Sequence, residues 1–241
     1  MINLILLFRE KYMNWLIVVA GGKGQRTNLN FNKIFAGLNK FPLLYWTLKR
    51  FENSKTINNI VISARKEDIN RIKAIISKYK FNKIKNIIYA KDSRQNSTFE
   101  VLKLLKSKMK NNDLVGIHNA VNPFVTQDEI EKVYKAAQKW GASLLAYPAK
   151  DTVKITGKDE FVAETPLREK CWYAQTPQVS TFNNLWKAFT KAASQNFVGT
   201  DDAQLLERIG VKVKIVPCSY QNFKITFPQD LLIAEQILKK F

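Results

Sequence analysis

Trp15-Leu16-Ile17-Val18-Val19-Ala20-Gly21-Gly22-Lys23-Gly24-Gln25-Arg26 decides how the chain is read, with Lys33 a short way on. The first half is an apolar run with β-branched residues at its centre. A run that is apolar throughout, and not alternating, is how a parallel strand buried on both faces reads. It stops at Gly21, Gly22 and Gly24, residues that take backbone angles closed to others and let a ligand approach the main chain. Backbone N–H groups there, beside Arg26 and Lys33, suit a polyphosphate. Two familiar phosphate patterns do not match. A Walker loop needs Gly-Lys-Ser/Thr, whereas Gly24 is followed by Gln25 and Arg26; the dinucleotide fingerprint needs a third glycine where the chain has Thr27. Alone, the loop fits either an anion cradle or a glycine turn with two solvated cations.

Outward from this loop, strands and helices alternate. A half-buried helix is expected from Leu43 to about Phe51, with Leu44, Trp46 and Leu48 mixed among Lys49 and Arg50. Asn59–Ala64 reads as a second buried strand, and Ile69, Ile72, Ile75, Ile76 and Tyr79 fall at helical spacing. Lys85–Tyr89 is a third strand, followed by a polar loop over 90–97. A helix over Thr98–Lys108 then turns Val101, Leu104 and Leu105 inward. Leu114–His118 is the next strand. Thr126-Gln127-Asp128-Glu129 is a capping box opening a helix to Trp140, with Gly141 as its stop, and Ala142–Tyr147 is a further strand. Strands separated by single helices argue for an α/β fold: a Rossmann-like, mostly parallel sheet with helices on both faces.

The pattern changes at Asp151. Residues 151–156 and 160–165 alternate apolar and polar about Gly157-Lys158-Asp159, which predicts a β-hairpin. Such an insertion either projects as an arm suited to dimer contact or packs on its own domain. Beyond it, Thr181 is placed to cap a helix to Ser194, and Thr200-Asp201-Asp202-Ala203 to cap another that stops at Gly210, with Thr200 as N-cap. Strands over 211–217 and 223–226 follow. Pro228 opens a last helix through Leu231, Ala234 and Leu238.

Composition narrows the function classes. A hydrophobic content of 46% with 12% aromatics is that of a folded chain, and 241 residues suit one domain over 13–241 with the arm at about 150–170. No run approaches a membrane span. The apolar stretch 2–8 is short and lacks a cleavage site, so no signal peptide is expected. Met13 is a second possible start, which makes residues 1–12 an N-terminal extension, either a frayed tail or an artefact of start assignment. Cys171 and Cys218, far apart, fit a reduced cytoplasmic protein, and with one His they make a poor zinc set. The net charge of +19 admits a nucleic-acid binder. Yet the cations are mostly lysines scattered over helix faces, such as Lys103, Lys106, Lys108 and Lys110, so nucleic acid is not the expected partner. We read the charge as composition plus attraction for anionic substrates.

Beyond the opening loop and Lys33, the ordered segments are Arg94-Gln95-Asn96-Ser97, His118-Asn119-Ala120-Val121-Asn122-Pro123-Phe124 and Lys150-Asp151-Thr152-Val153-Lys154. Arg168, Trp172-Tyr173-Ala174-Gln175-Thr176-Pro177-Gln178, Thr200–Ala203, Asn222-Phe223-Lys224-Ile225-Thr226 and Pro228-Gln229-Asp230 complete the series. From about residue 14 to the end, this set resembles the 2-C-methyl-D-erythritol 4-phosphate cytidylyltransferases, whose close relatives act on ribitol 5-phosphate. The resemblance implies transfer of CMP from CTP to a polyol phosphate with loss of pyrophosphate, in a homodimer joined through the arm. It assigns the CTP phosphates to Ala20, Gly21, Gly22 and Gly24, and catalysis to Arg26, Lys33 and Lys224. Ser97 would read the cytosine. Thr152, Arg168, Thr200 and Lys224 would bind the polyol phosphate, with Thr152 and Arg168 reaching the other subunit's site. Mg²⁺ is the implied cofactor.

The chain departs from the family pattern at particular places. The usual metal-holding Asp after the histidine is Asn119, the following Arg is Asn122, and the second acidic position is Gln221. A glycine pair is replaced by Ala90-Lys91, and the proline before Lys33 by Asn32. Mg²⁺ prefers carboxylates with substrate phosphates, so a weaker metal site centred on Asn119 is expected. That leaves three readings beside the main one: a ribitol-5-phosphate enzyme, a nucleotide-binding homologue of weakened activity, and, from charge alone, a nucleic-acid binder.

Overall fold

The computed structural model describes residues 12–22 and 31–239. The N-terminal extension as far as residue 11, together with Gly24 and Arg26, lies outside the described residues.

The opening run forms β1 (Asn14–Val19). A small ribbon, β2 (Gly37–Leu38) and β3 (Phe41–Pro42), leads into α1 (Leu43–Glu52). Next come β4 (Asn59–Ala64), α2 (Ile69–Tyr79), β5 (Ile84–Tyr89), α3 (Arg94–Leu105) and β6 (Leu114–Asn119). Then α4 (Gln127–Trp140) and β7 (Ala142–Pro148) precede the arm, β8 (Ile155–Thr156) and β9 (Val162–Glu164). The chain continues with β10 (Trp172–Thr181), α5 (Phe182–Ser194), α6 (Asp202–Glu207), β11 (Lys214–Pro217) and α7 (Pro228–Leu238).

Seven strands make one sheet in the order β11-β7-β10-β6-β1-β4-β5, and β10 alone among them runs antiparallel to its neighbours. Side chains along β1 alternate between two cores. Leu16 and Val18 pack with α1, α2, α4 and α7, whereas Trp15 and Ile17 pack with α3, α5 and α6. Burial on both faces is why the strand reads as an unbroken apolar run. At Gly116 of β6 a Cβ would lie 2.2 Å from the Tyr134 hydroxyl, which donates to Trp15 O at 2.6 Å. Glycine here admits the bond that pins α4 to the sheet.

Several boundaries differ from expectation. The segment 94–97 is the first turn of α3, because the Ser93 hydroxyl accepts from Asn96 N–H and starts the helix earlier. Leu104 is exposed, on the outer side of that helix. The N-cap of α6 is Asp201, whose carboxylate accepts from Gln204 N–H at 2.9 Å, and not Thr200. Residues 223–226 are irregular, tied down where Ile225 N–H donates to Val121 O at 2.9 Å. The strand β10 was not anticipated: Pro177 interrupts the pattern, and the register against β7 shifts between Ala174 and Gln178. The arm is antiparallel as expected but shorter.

Candidate active site

From β1 the chain passes to β4 and β5 on one side, then returns to β6 on the other, so the strand order reverses between β1 and β6. In open α/β sheets the crevice outside the carboxyl ends of strands at such a reversal is where ligands bind. The ladder runs one residue past each strand here: Ala20 N–H donates to Ser63 O at 2.7 Å, Ala90 N–H to Ala64 O at 2.7 Å, and Ala120 N–H to Val19 O at 3.0 Å. Val19 pairs with Asn119, so Ala20 and Gly21 follow just beyond it at the mouth of the crevice.

Lys33 opens a short helical turn, 33–35, with Asn32 as its cap. Asn32 is buried; its Nδ2 donates to Ala20 O at 3.1 Å and to Asp68 Oδ2 at 2.8 Å, and its Oδ1 accepts from Ile34 N–H. Arg65 Nε reaches the same Asp68 oxygen at 3.0 Å. This replacement for a proline therefore ties the Lys33 turn to the end of β1. Asp68 gave no sign of the role in sequence.

The first turn of α3 is the second wall. Arg94 donates from Nε to Asn119 Oδ1 at 3.3 Å and from its terminal nitrogen to Asp202 Oδ2 at 2.6 Å. Burial works against the Arg94 charge, and the Asp202 carboxylate outweighs it, holding the guanidinium pKa above its ordinary value. Gln95 accepts from Gly199 N–H and donates to Phe197 O, both at 2.9 Å, which fixes the loop carrying exposed Thr200. Ser97 is buried beneath its own turn: its hydroxyl donates to Ser93 O at 2.6 Å and accepts from Lys91 N–H at 2.9 Å.

The third wall is a chain of amides. Asn119 Nδ2 donates to Asn122 Oδ1, and Asn122 Nδ2 to Asn222 O, each at 3.3 Å; Asn222 Nδ2 donates to Thr176 O at 3.0 Å. The Thr176 hydroxyl accepts from Asn119 N–H and donates to His118 Nδ1 at 3.0 Å, while His118 Nε2–H donates to Asn122 O at 2.9 Å. Burial pushes His118 down to about 4, with the Arg94 charge adding to it, so the imidazole is neutral and its tautomer is set by these partners. Gln178 completes the frame by donating to Asp201 and accepting from Ala203 N–H, both at 2.8 Å. Lys224 is exposed on the irregular stretch that Asn222 and Ile225 lay beside the 119–122 loop.

Thr152 and Arg168 stand apart from these walls, at the base of the arm; Arg168 donates to Lys150 O at 3.4 Å and both are exposed.

The sequence profile of the 2-C-methyl-D-erythritol 4-phosphate cytidylyltransferase family matches residues 15–240. The chain belongs to this family. A cytidylyltransferase of that name from Clostridioides difficile is 42% identical over 224 residues, 92% of this chain and 92% of its own length. One from Clostridium botulinum (strain Langeland) is 38% identical over 227 residues, 94% of this chain and 98% of its own. Among solved structures, the 4-diphosphocytidyl-2C-methyl-D-erythritol synthase of Anaerococcus prevotii has a TM-score of 0.83 at 33% identity, covering 95% of this chain and 96% of that one. The Francisella tularensis cytidylyltransferase has a TM-score of 0.78 at 31% identity, covering 93% and 99%.

Members of the family generally depend on a divalent metal. The residues of this crevice do not fit one held by the protein. Among the described residues no group of three His, Cys, Asp or Glu side chains is gathered for a metal. Asn119 Oδ1 already accepts from Arg94, Asp202 is taken by Arg94, and Asp201 by Gln178 and Gln204. Gln221 is an exposed amide. Among the described residues of these walls, Asp201 and Asp202 thus already have protein donors, which does not suit the hard cation that Mg²⁺ is. No described helix is long and apolar enough to cross a membrane.

Proposed function

We propose that this protein transfers CMP from CTP to 2-C-methyl-D-erythritol 4-phosphate and releases pyrophosphate. The observation that carries the reading is the convergence, at the β1/β6 crevice, of Ala20 and Gly21, the Arg94–Ser97 turn and the His118–Asn122 loop. An oxygen of the sugar phosphate attacks the α-phosphorus of CTP; a P–O bond forms, the bond to the β-phosphate breaks, and its electron pair leaves with pyrophosphate. Such a reaction asks the protein for position and positive charge more than for covalent help. In this reading Arg26 and Lys33 meet the α-phosphate and the departing pyrophosphate, and Lys224 meets the attacking phosphate. Gly22 and Gly24 are assigned to the CTP phosphates together with Ala20 and Gly21. Ser97 serves the cytosine through the turn it holds, since its own hydroxyl is engaged within that turn. Thr200 and Lys224 meet the polyol phosphate in the same subunit, and Thr152 and Arg168 meet it from the partner of a homodimer. Exposed Ile155, Phe161, Val162 and Leu167 on the arm support that dimer. Mg²⁺ belongs to this reading as the nucleotide's counterion.

Incubation with CTP, Mg²⁺ and each polyol phosphate, with pyrophosphate measured, tests the reading. Release with methylerythritol phosphate is expected. Release with ribitol 5-phosphate alone transfers the assignment to that substrate, and no release with either ends the enzymatic reading.

A further inference from the structure

Where the family pattern has acids, the crevice offers neutral amides, and their hydrogen bonds set which end of Asn119 faces which neighbour. Arg94 Nε is a donor, so the Asn119 oxygen turns to it at 3.3 Å; the Asn119 nitrogen then turns to Asn122 Oδ1 at 3.3 Å. An amide nitrogen carries two hydrogens, and Asn122 accepts one. Asn119 is only half-buried, so the second hydrogen is carried at the mouth of the crevice. Arg94 is anchored from behind by Asp202, whose side chain is 2% exposed, while 31% of the Arg94 side chain remains exposed. A guanidinium held this way presents its remaining donors without losing side-chain freedom on binding.

The two chemistries at position 119 differ in kind. A carboxylate beside a phosphate repels it and needs a cation between them. An amide N–H donates to the phosphate oxygen directly, and a neighbouring guanidinium supplies the charge. We propose that Arg94 and Asn119 form a metal-free phosphate seat, which contacts the phosphates of a nucleoside triphosphate directly in place of a protein-bound divalent ion. This rests on the reading of the crevice as the CTP site. The amide string Asn119–Asn122–Asn222 forms one hydrogen-bonded unit with this seat and contains no carboxylate that would demand a metal.

Isothermal titration of the intact protein with CTP, once with excess Mg²⁺ and once with EDTA, tests the seat. The expected affinities differ by less than about fivefold, because the protein's own donors carry the contact. In parallel, Mn²⁺ titrated into nucleotide-free protein should keep its full free-ion paramagnetic resonance signal. Asn119→Ala should weaken CTP by about tenfold to the same degree in both buffers, the loss of one hydrogen bond to a charged group. Asn119→Asp with Gln221→Asp should reverse the pattern: Mn²⁺ becomes bound, and CTP in EDTA weakens by about tenfold through like-charge repulsion. If the double variant does not fold, the wild-type pair of titrations and Asn119→Ala still decide. A wild-type affinity that falls fivefold or more in EDTA, or Mn²⁺ bound by wild-type protein, overturns the seat while leaving the CTP site intact. No CTP binding in either buffer ends the nucleotide reading itself, and the seat with it.

Discussion

Gly21 and Ala90 touch where the ends of two strands meet: a Cβ on Gly21 would lie 2.5 Å from the Ala90 Cβ. Gly21 is not among the positive-φ glycines, so the demand is for space and not for an unusual backbone. Ala90 stands where the family pattern has glycine, and the methyl it adds is what closes the gap. Gly21→Ala should therefore destabilise by about 2 kcal/mol, the usual cost of overpacking a tight contact. The compensating change is Ala90→Gly, which on its own should be mild. Urea midpoints of the two single variants and the double variant check this; a double variant no more stable than Gly21→Ala contradicts it.

Asn32 offers a second test of how the chain accommodates its departures. Its φ is −64°, ψ 122°, a conformation proline adopts without strain. Asn32→Pro should keep the backbone of the Lys33 turn while removing the bonds to Ala20 O and Asp68. Two buried partners lose a donor, so a loss of about 2 kcal/mol is expected. Asp68→Ala in the Asn32→Pro background should cost less than in the wild type, because the partner is already gone. Equal costs in the two backgrounds would show that the network is not coupled.

The arm predicts the state of assembly. Phe161 is 77% exposed and Val162 58% on a two-stranded ribbon that has little core of its own. Phe161→Asp should shift the protein from dimer to monomer in sedimentation equilibrium while leaving far-ultraviolet circular dichroism unchanged. A wild-type monomer at all concentrations removes the dimer from the proposal.

Much of the fold was legible because burial on both faces leaves a direct mark on sequence. β1, β4 and β6 read as unbroken apolar runs, and the α4 capping box and the Gly141 stop act within a few residues of themselves. What escaped was structure set by distant partners. β10 contains Pro177 and is held by β6 and β7, elements far away in the chain. Asp201 wins the N-cap of α6 from Thr200, whose own N–H is taken up by Gln204. The site showed the same division. Its segments were recognisable as an ordered set, but nothing in the Thr200–Ala203 segment pointed to Asp202 being buried against Arg94 over a hundred positions away. Ser97 looks like a ligand contact in sequence; in the fold its hydroxyl holds the neighbouring backbone of its own turn.

The Arg94–Asp202 pair itself should behave as a buried ion pair with one wet end. Arg94→Met leaves the Asp202 carboxylate buried without its partner and should cost about 3 kcal/mol. Arg94→Met with Asp202→Leu should recover most of that loss, since the unpaired charge is removed. Chemical denaturation of the three variants measures both numbers. A double variant as unstable as Arg94→Met would mean that the helix ends, and not the charge, set the cost.

His118 supplies the pH dependence. Its folded pKa of about 4 lies below the ordinary 6.5, chiefly because the ring is fully buried. Between those values the unfolded chain binds a proton that the folded chain excludes, so stability contributed by the neutral ring is complete above about pH 6.5 and is lost as pH falls towards 4. The loss amounts to about 3 kcal/mol for this one group. Carboxylates titrate over the lower part of the same range, so the comparison must be with a variant that cannot take the proton. Gln in place of His118 offers an amide donor towards Asn122 O and an amide acceptor towards the Thr176 hydroxyl. His118→Gln should be less stable at pH 7.5, where a repacked ring pocket is its only difference. It should lose about 3 kcal/mol less than the wild type between pH 7.5 and 4. Urea denaturation at intervals across that range gives both curves. Parallel curves would show that the ring takes its proton in the folded state at the ordinary pH, through an opening of the Thr176–His118–Asn122 chain that the closed geometry does not contain.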